Sequence, residues 1–145
     1  AGGWAAGDLI PIVDVERGPE RGPNYHATAD QVEDVTGAFV AGVAQATGQR
    51  VLLYGRGLMR DLGIRAQMGA SYLWNPSYTA HPVPAAGWPT EQVVLWQYTD
   101  GTINKTSFPT TAPVLGAVDG SVVLAGDRPA TLDDVRRTIV RSSTN

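Results

Sequence analysis

The chain has 145 residues, a formal net charge of −3 and 43% hydrophobic residues, which is enough for a single domain with a normal core. It contains no cysteine, so disulfides, thiolate catalysis and thiolate metal sites are excluded. No run of Lys and Arg marks a nucleic-acid surface, no long apolar run predicts a membrane span, and no signal peptide is visible. Glycine motifs that bind phosphate are absent too, and we expect no metal or other cofactor.

The run from Leu9 to Glu16 predicts a buried β-strand that leads into a loop rich in glycine and proline. Side chains alternate between the faces of a strand, so Asp14 and Glu16 should point the same way, roughly 6–7 Å apart along it. Apolar surroundings should raise at least one of the two pKa values, which is a condition that glycoside hydrolysis needs. The alternative is that both acids solvate a strand end, with Arg17 and Arg21 as partners.

Capping-box spacing at Thr28 and Gln31 predicts a helix that runs to about Thr47 and stops at Gly48. A buried strand at residues 50–55 follows, and strand, helix and strand together indicate a βαβ unit with parallel strands. The apolar residues that recur at helical spacing should form the buried face of the helix: Val32, Val35, Phe39 and Val43.

Further elements follow toward the C-terminus. We expect a short helix at 57–62, a brief strand at 72–74 broken by Asn75 and Pro76, a long loop at 77–89 and a strand at 92–98. A small apolar run at 117–122 carries Asp119. Thr131 should cap a closing helix with three residues facing inward: Leu132, Val135 and Ile139. The pattern predicts an α/β fold of parallel strands with crossover helices, and one domain over residues 1–145.

Ligands of parallel α/β folds bind at the carboxyl ends of the strands. Aromatic faces pack on the C–H surfaces of sugars, and carboxylates and amides bond to hydroxyl or acetamido groups, so acids and aromatics at these ends predict a carbohydrate groove. For each aromatic taken alone, a core position is the alternative. The strand-end residues are Asp14, Glu16, Tyr54, Trp74, Trp96, Gln97 and Asp119.

Short motifs spread over most of the chain occur in the order found in the second half of glycoside hydrolase family 25. They are the strand from Pro11 to Glu16, Tyr54, Leu73-Trp74, the strand at 95–99 and Val118-Asp119. The chain therefore resembles the C-terminal half of this family, the Chalaropsis-type lysozymes or N-acetylmuramidases found among phage endolysins and bacterial autolysins. The resemblance implies part of an irregular TIM-like (β/α) barrel whose front half, with a further active-site aspartate, is absent from this chain.

The resemblance also implies hydrolysis of the β-1,4 bond between N-acetylmuramic acid and N-acetylglucosamine in peptidoglycan. Glu16 would be the general acid, Asp14 would assist at the N-acetyl group or the oxocarbenium-like centre, and Asp119 would match a later acid of the family. No cofactor is implied. The residues that would bind the substrate are Tyr54, Trp74, Trp96 and Gln97.

Peptidoglycan as the partner places such an enzyme at the cell wall or outside the cell. Three or four strands cannot close a barrel, so we expect a second chain or a further segment to complete it. Two alternatives stay open. One is a non-catalytic wall-binding or phage structural module that keeps the groove, and the other is a barrel hydrolase that acts on a different glycan such as chitin.

Overall fold

A computed structural model describes residues 8–18, 20, 22, 26–100, 120–126 and 128–140. These residues form a mixed α/β unit around one six-stranded sheet with the strand order β1-β2-β3-β4-β5-β6. The elements are β1 (Ile12–Asp14), α1 (Ala29–Thr47), β2 (Leu52–Tyr54), α2 (Gly57–Leu62), β3 (Tyr72–Pro76), a 3₁₀ turn (Thr90–Gln92), β4 (Val93–Thr99), β5 (Gly120–Ala125), β6 (Arg128–Pro129) and α3 (Leu132–Thr138).

Strands β1 to β4 run parallel, with α1 between β1 and β2 and α2 between β2 and β3. This part confirms the predicted parallel strands. The prediction is wrong for β5 and β6, which lie antiparallel to their neighbours. The connection from β3 to β4 crosses over with a 3₁₀ turn and no α-helix. In the part of the chain that is described, the sheet is open, with β1 and β6 at its edges.

Helix α1 begins and ends where its sequence predicts. The Thr28 hydroxyl accepts a hydrogen bond from the Gln31 backbone N–H at 3.3 Å, and the Gln31 side chain accepts one from the Thr28 N–H at 3.0 Å. This reciprocal pair satisfies two N–H groups at the start of the helix. At the other end Gly48 has a φ of 64°, a left-handed conformation that glycine adopts without steric cost.

The buried face of α1 agrees with the predicted one only in part, since Val32 and Val43 pack against the core as predicted and the other two residues do not. Thr36 and Val40 are the buried residues of the helix, whereas Val35 is 70% exposed and Phe39 is 61% exposed. Each residue turns a helix by about 100°, so a shift of one position moves the buried stripe to the neighbouring face. Because Thr36 at the centre of the buried face is polar, the pattern of apolar residues does not reveal this face. Leu132 of α3 is another correction, since it is 75% exposed.

Substitutions at two adjacent positions of α1 test this assignment. Val40→Ala should lower the free energy of unfolding by about 1–3 kcal/mol, because it removes two buried methyl groups and leaves a cavity. Phe39→Ala should change it by no more than about 0.5 kcal/mol, despite the larger side chain, because the ring is exposed. Urea denaturation of both variants measures the difference, and a larger loss for Phe39→Ala would contradict the assigned face.

Each side of the sheet carries a hydrophobic cluster. One cluster joins Val13, Leu53, Leu73 and Trp96 to Val40 of α1. The other side carries Ile10, Leu52 and Val94 with Ile139 packed on them. The second cluster lies beneath the strand ends described below, so the candidate site has an apolar base. None of the helices in the described ranges is both long and apolar enough to cross a membrane.

Candidate active site

Three neighbouring strands place an acid and two aromatic residues side by side. Asp14 is the register partner of Tyr54, and Tyr54 is the register partner of Trp74. Register partners in adjacent strands share a face of the sheet at a spacing of about 4.8 Å. Asp14, Tyr54 and Trp74 therefore form a row, called here the strand-end row, at the carboxyl ends of β1 and β2 and within β3.

The aromatic half of the row is held by specific contacts. The rings of Tyr54 and Trp74 meet edge to face with centroids 5.1 Å apart, a favoured geometry for aromatic pairs. The indole N–H of Trp74 donates to the Ser121 hydroxyl of β5 at 3.1 Å. Both rings keep partial exposure, so the pair forms a fixed aromatic surface that solvent can reach. Ser121 was missed by the sequence analysis, because its contact depends on the antiparallel pairing of β5.

The Tyr54 hydroxyl connects the row to an acid and an amide. It donates a hydrogen bond to the Gln97 Oε1 at 2.7 Å. A phenol carries one hydrogen and donates to one acceptor at a time. The Glu16 carboxylate lies close enough to the phenol to raise its pKa. Gln97 thus holds Tyr54 in place, with Glu16 nearby.

The electrostatics of the row match the sequence expectation that one acid has a raised pKa. Partial burial raises the pKa of Asp14 above its ordinary value of 3.8, because loss of solvent disfavours the charged form. Burial also raises the pKa of Tyr54 well above 10.0, and the negative charge of Glu16 adds to the effect, followed by Tyr78. The phenol therefore remains neutral and able to donate at any physiological pH.

A titration tests this environment of Tyr54. Its raised pKa means that the folded state holds the phenolic proton more tightly than the unfolded state, so its contribution to stability is present below pH 10 and decreases above it. Absorbance at 295 nm reports tyrosinate. Subtracting the titration curve of Tyr54→Phe from that of the parent should give a phenol that ionises at higher pH than an ordinary tyrosine. A difference curve centred near pH 10 would contradict a Tyr54 phenol that is partly buried beside the Glu16 carboxylate.

Gly55 allows the acidic segment to come close to β2. The Val15 N–H donates to the Tyr54 carbonyl at 2.9 Å, and the Gly55 N–H donates to the Trp74 carbonyl at 3.3 Å. Gly55 has a φ of +142°, and a Cβ there would stand 2.4 Å from the Val15 carbonyl oxygen. Only glycine fits between these strands. The segment that carries Asp14 and Glu16 therefore depends on a residue that the sequence analysis did not single out.

Two of the predicted substrate-binding residues are buried. Trp96 has no exposed surface and belongs to the core, where its indole N–H donates to the Ser77 carbonyl at 2.6 Å. This position leaves no face of Trp96 for a sugar, which corrects its expected place in the groove. Gln97 is 2% exposed, so it has almost no surface for a sugar. Its side-chain oxygen instead accepts the hydrogen bond of Tyr54. Asp119 lies outside the described residues, and the strand after it begins at Gly120.

Tyr78 is a further member of the cluster, since its proximity raises the pKa of Tyr54. The sequence placed it in a surface loop, and only the fold brings it to the row. Within the described ranges, no group of three or more His, Cys, Asp or Glu side chains is placed to hold a metal ion. The reactive and binding groups of the site are two carboxylates, a phenol and an indole. They can move a proton, stabilise a positive charge and support a flat, partly apolar ligand.

The fold of this chain has a counterpart among solved structures. The chain is similar to a family 25 glycosyl hydrolase from Bacillus anthracis, with a TM-score of 0.61 and 18% sequence identity. The similarity covers 89% of this chain and 54% of the other, so the chain spans about half the length of that structure. No protein-family model and no curated protein matches the chain. The predicted resemblance to family 25 is thus confirmed at the level of the fold, which is similar to about half of one family 25 glycosyl hydrolase.

Proposed function

We propose that the chain is the catalytic portion of a peptidoglycan hydrolase that cleaves the β-1,4 bond between N-acetylmuramic acid and N-acetylglucosamine. The observation that carries the proposal is the strand-end row, with Asp14, Tyr54 and Trp74 in register and Glu16 near enough to Tyr54 for its charge to raise the pKa of the phenol. Two acids beside an aromatic surface are the groups that glycosidic cleavage uses. The similar structure is named as a glycosyl hydrolase, which supports the same class of reaction.

Glu16 and the residues of the row each have a role in this proposal. Glu16 donates a proton to the oxygen of the leaving sugar, and Tyr54 lies beside its carboxyl group. Asp14, as a carboxylate, stabilises the positive charge that develops on the sugar ring or orients the N-acetyl group. Trp74 offers its exposed ring to the apolar face of a sugar. Asp119 would add a further acid, as the resemblance implies.

The substrate sets the place of action, which is the cell wall outside the cytoplasmic membrane. A barrel has about eight strands, and the described residues provide six in an open sheet. We therefore propose that a further segment or a second chain completes the groove on the side of β1. β1 is an edge strand in the described part of the sheet, and proteins normally pair or cover such an edge.

A wall-binding module without catalysis is the second candidate, and it is favoured by the coverage of only 54% of the similar structure. Incubation of the chain with insoluble peptidoglycan separates the two. A hydrolase releases new reducing ends into the supernatant in proportion to time. A binding module remains on the sediment and releases none, and this result would overturn the proposed hydrolysis for the chain by itself.

A further inference from the structure

A cleft with a positively charged lining lies beside the strand-end row. It has a volume of about 370 Å³ and separates the region of α2 from the loop at residues 84–86. Arg56, Arg60 and Arg65 line it, and none of the described lining residues is acidic. The whole chain has a net charge of −3, so this concentration of positive charge runs against the overall composition. We call this feature the arginine cleft.

The cleft adjoins the proposed catalytic centre through Arg56. This residue follows Tyr54 by two positions, at the carboxyl end of β2. Its guanidinium donates to the Ser77 hydroxyl at 3.0 Å, and the Ser77 backbone N–H donates to the Gln97 carbonyl at 3.0 Å. Gln97 in turn contacts Tyr54. Arg56 is therefore the residue of the cleft that is linked to the strand-end row, through Ser77 and Gln97.

The positive charges in the cleft are only partly neutralised. Arg60 pairs with Asp61 at 2.9 Å, and Arg17 approaches the same carboxylate at 3.8 Å. Among the described residues, no carboxylate pairs with Arg56, and burial together with the charge of Arg60 lowers its pKa. Two guanidinium groups near each other in a half-buried site repel one another. An anion between them would remove this repulsion.

The cleft has a buried floor and a closely packed wall. Its floor is apolar and buried, with Met59 at 2%, Ile64 at 4% and Ala85 at 8% exposure. On the far wall, a Cβ at Gly87 would stand 2.0 Å from the Arg65 carbonyl oxygen. The loop that contains Gly87 therefore packs closely against the backbone at Arg65. A low-dielectric floor strengthens the attraction between guanidinium groups and an anion, and a rigid wall lowers the entropy cost of binding.

We propose that the arginine cleft binds an oxyanion carried by the cell-wall polymer whose glycan lies on the strand-end row. This inference rests on the proposed function for the identity of the polymer. Two groups of that polymer have the required chemistry, namely the carboxylates of a peptide attached to muramic acid and the phosphates of a wall phosphodiester. Arginine binds both in a two-pronged geometry. The cleft would thereby favour substituted glycan over bare glycan.

Calorimetric titration of the 145-residue chain with small probes tests the cleft without requiring hydrolysis. The probes are a muramyl peptide with free carboxylates, the same compound fully amidated, and an oligomer of glycerol phosphate. We expect at least one anionic probe to bind more tightly than the amidated one, and its affinity to fall as salt is raised. Tighter binding of the carboxylate probe identifies the peptide as the source, and tighter binding of the phosphate probe identifies the phosphodiester.

Variants locate the binding. Arg56→Gln should weaken the preferred anionic probe about tenfold, the equivalent of one charge-assisted hydrogen bond. Arg65 is exposed, so Arg65→Gln should fold normally. Its affinity for the probe should fall about threefold to fivefold, as expected for the loss of a charge at the rim. Arg136→Gln removes one exposed charge from α3, away from the cleft, and should change nothing. Equal affinities for the parent and both cleft variants would overturn the proposal.

Failure of this inference is distinct from failure of the proposed function. Release of reducing ends by a parent chain that binds no anionic probe would leave the hydrolase and remove the cleft as a ligand site. Binding of an anionic probe that depends on Arg56, without any release of reducing ends, would support the oxyanion site and count against catalysis.

Discussion

Glu16→Gln should lower the rate of peptidoglycan hydrolysis by about 10²- to 10⁴-fold, the usual contribution of a general acid. An amide retains the size of the side chain, but it supplies no proton to the leaving oxygen. Glu16 is exposed, so the free energy of unfolding should stay within about 0.5 kcal/mol of the parent. Initial rates of reducing-end release and a denaturation curve measure the two effects.

Glu20→Gln is the matched control for this substitution. Glu20 is also exposed and lies four positions along the chain from Glu16, so the variant has the same change of charge and the same chemical change. Its hydrolysis rate should equal that of the parent. A similar fall in rate for both variants would mean that the general charge of this region matters and would remove Glu16 from the role of proton donor.

Gly55→Ala should disrupt both stability and activity. The new methyl group would stand 2.4 Å from the Val15 carbonyl oxygen, at a φ of +142° that alanine rarely adopts. We expect a loss of about 2–5 kcal/mol in the free energy of unfolding from the steric clash and the backbone strain. Relief of the clash moves Val15 away from β2 and carries Glu16 with it. A displacement of about 1 Å at a catalytic group costs about 10²-fold in rate.

Gly42→Ala provides the comparison. Gly42 lies within α1, and a Cβ there meets no atom within 4 Å. Alanine is the better helix former, so this variant should be more stable than the parent by about 0.5–1 kcal/mol and equally active. Thermal unfolding and reducing-end assays measure both effects. Gly42→Ala should be more stable with unchanged activity, whereas Gly55→Ala should lose both stability and activity. A Gly55→Ala protein with the stability and activity of the parent would show that β1 does not approach β2 as described.

The sequence predicted the features of the fold that depend on neighbouring residues. The capping box at Thr28 and the stop at Gly48 were correct, because each depends on a few adjacent backbone groups. The helix of residues 57–62 and its end at Gly63 were correct for the same reason. The four parallel strands also lie where their apolar runs predicted them, although in β1 only Val13 is buried.

Features that depend on which way a side chain points were harder to predict. Trp96 and Gln97 are adjacent in β4, and adjacent residues of a strand face opposite sides, so they could not both line one groove. Only the pairing of β4 with β3 and β5 decides that Trp96 enters the core. The choice between Val35 and Thr36 on α1 had the same cause, a rotation of one position that an apolar pattern does not resolve.

The sequence predicted the acids of the candidate site, but only some of the residues that hold them in place. Asp14, Glu16, Tyr54 and Trp74 were all named from the sequence. Asp14, Tyr54 and Trp74 lie in register and Glu16 lies near Tyr54, while their roles stay predictions. Ser121 and Tyr78 reach the same place through long-range contacts that have no local signal. Gly55 carried a signal, since a glycine directly after an apolar strand marks a close approach of two backbones.

The most direct measurement of the central claim is the identity of the sugar at each new reducing end. Purified peptidoglycan is incubated with the 145-residue chain, and the released fragments are reduced with borohydride and analysed by mass spectrometry. The account predicts fragments that end in reduced N-acetylmuramic acid, from the parent and not from Glu16→Gln. Fragments that end only in reduced N-acetylglucosamine, or equal release by the parent and Glu16→Gln, would contradict a muramidase centred on Asp14 and Glu16.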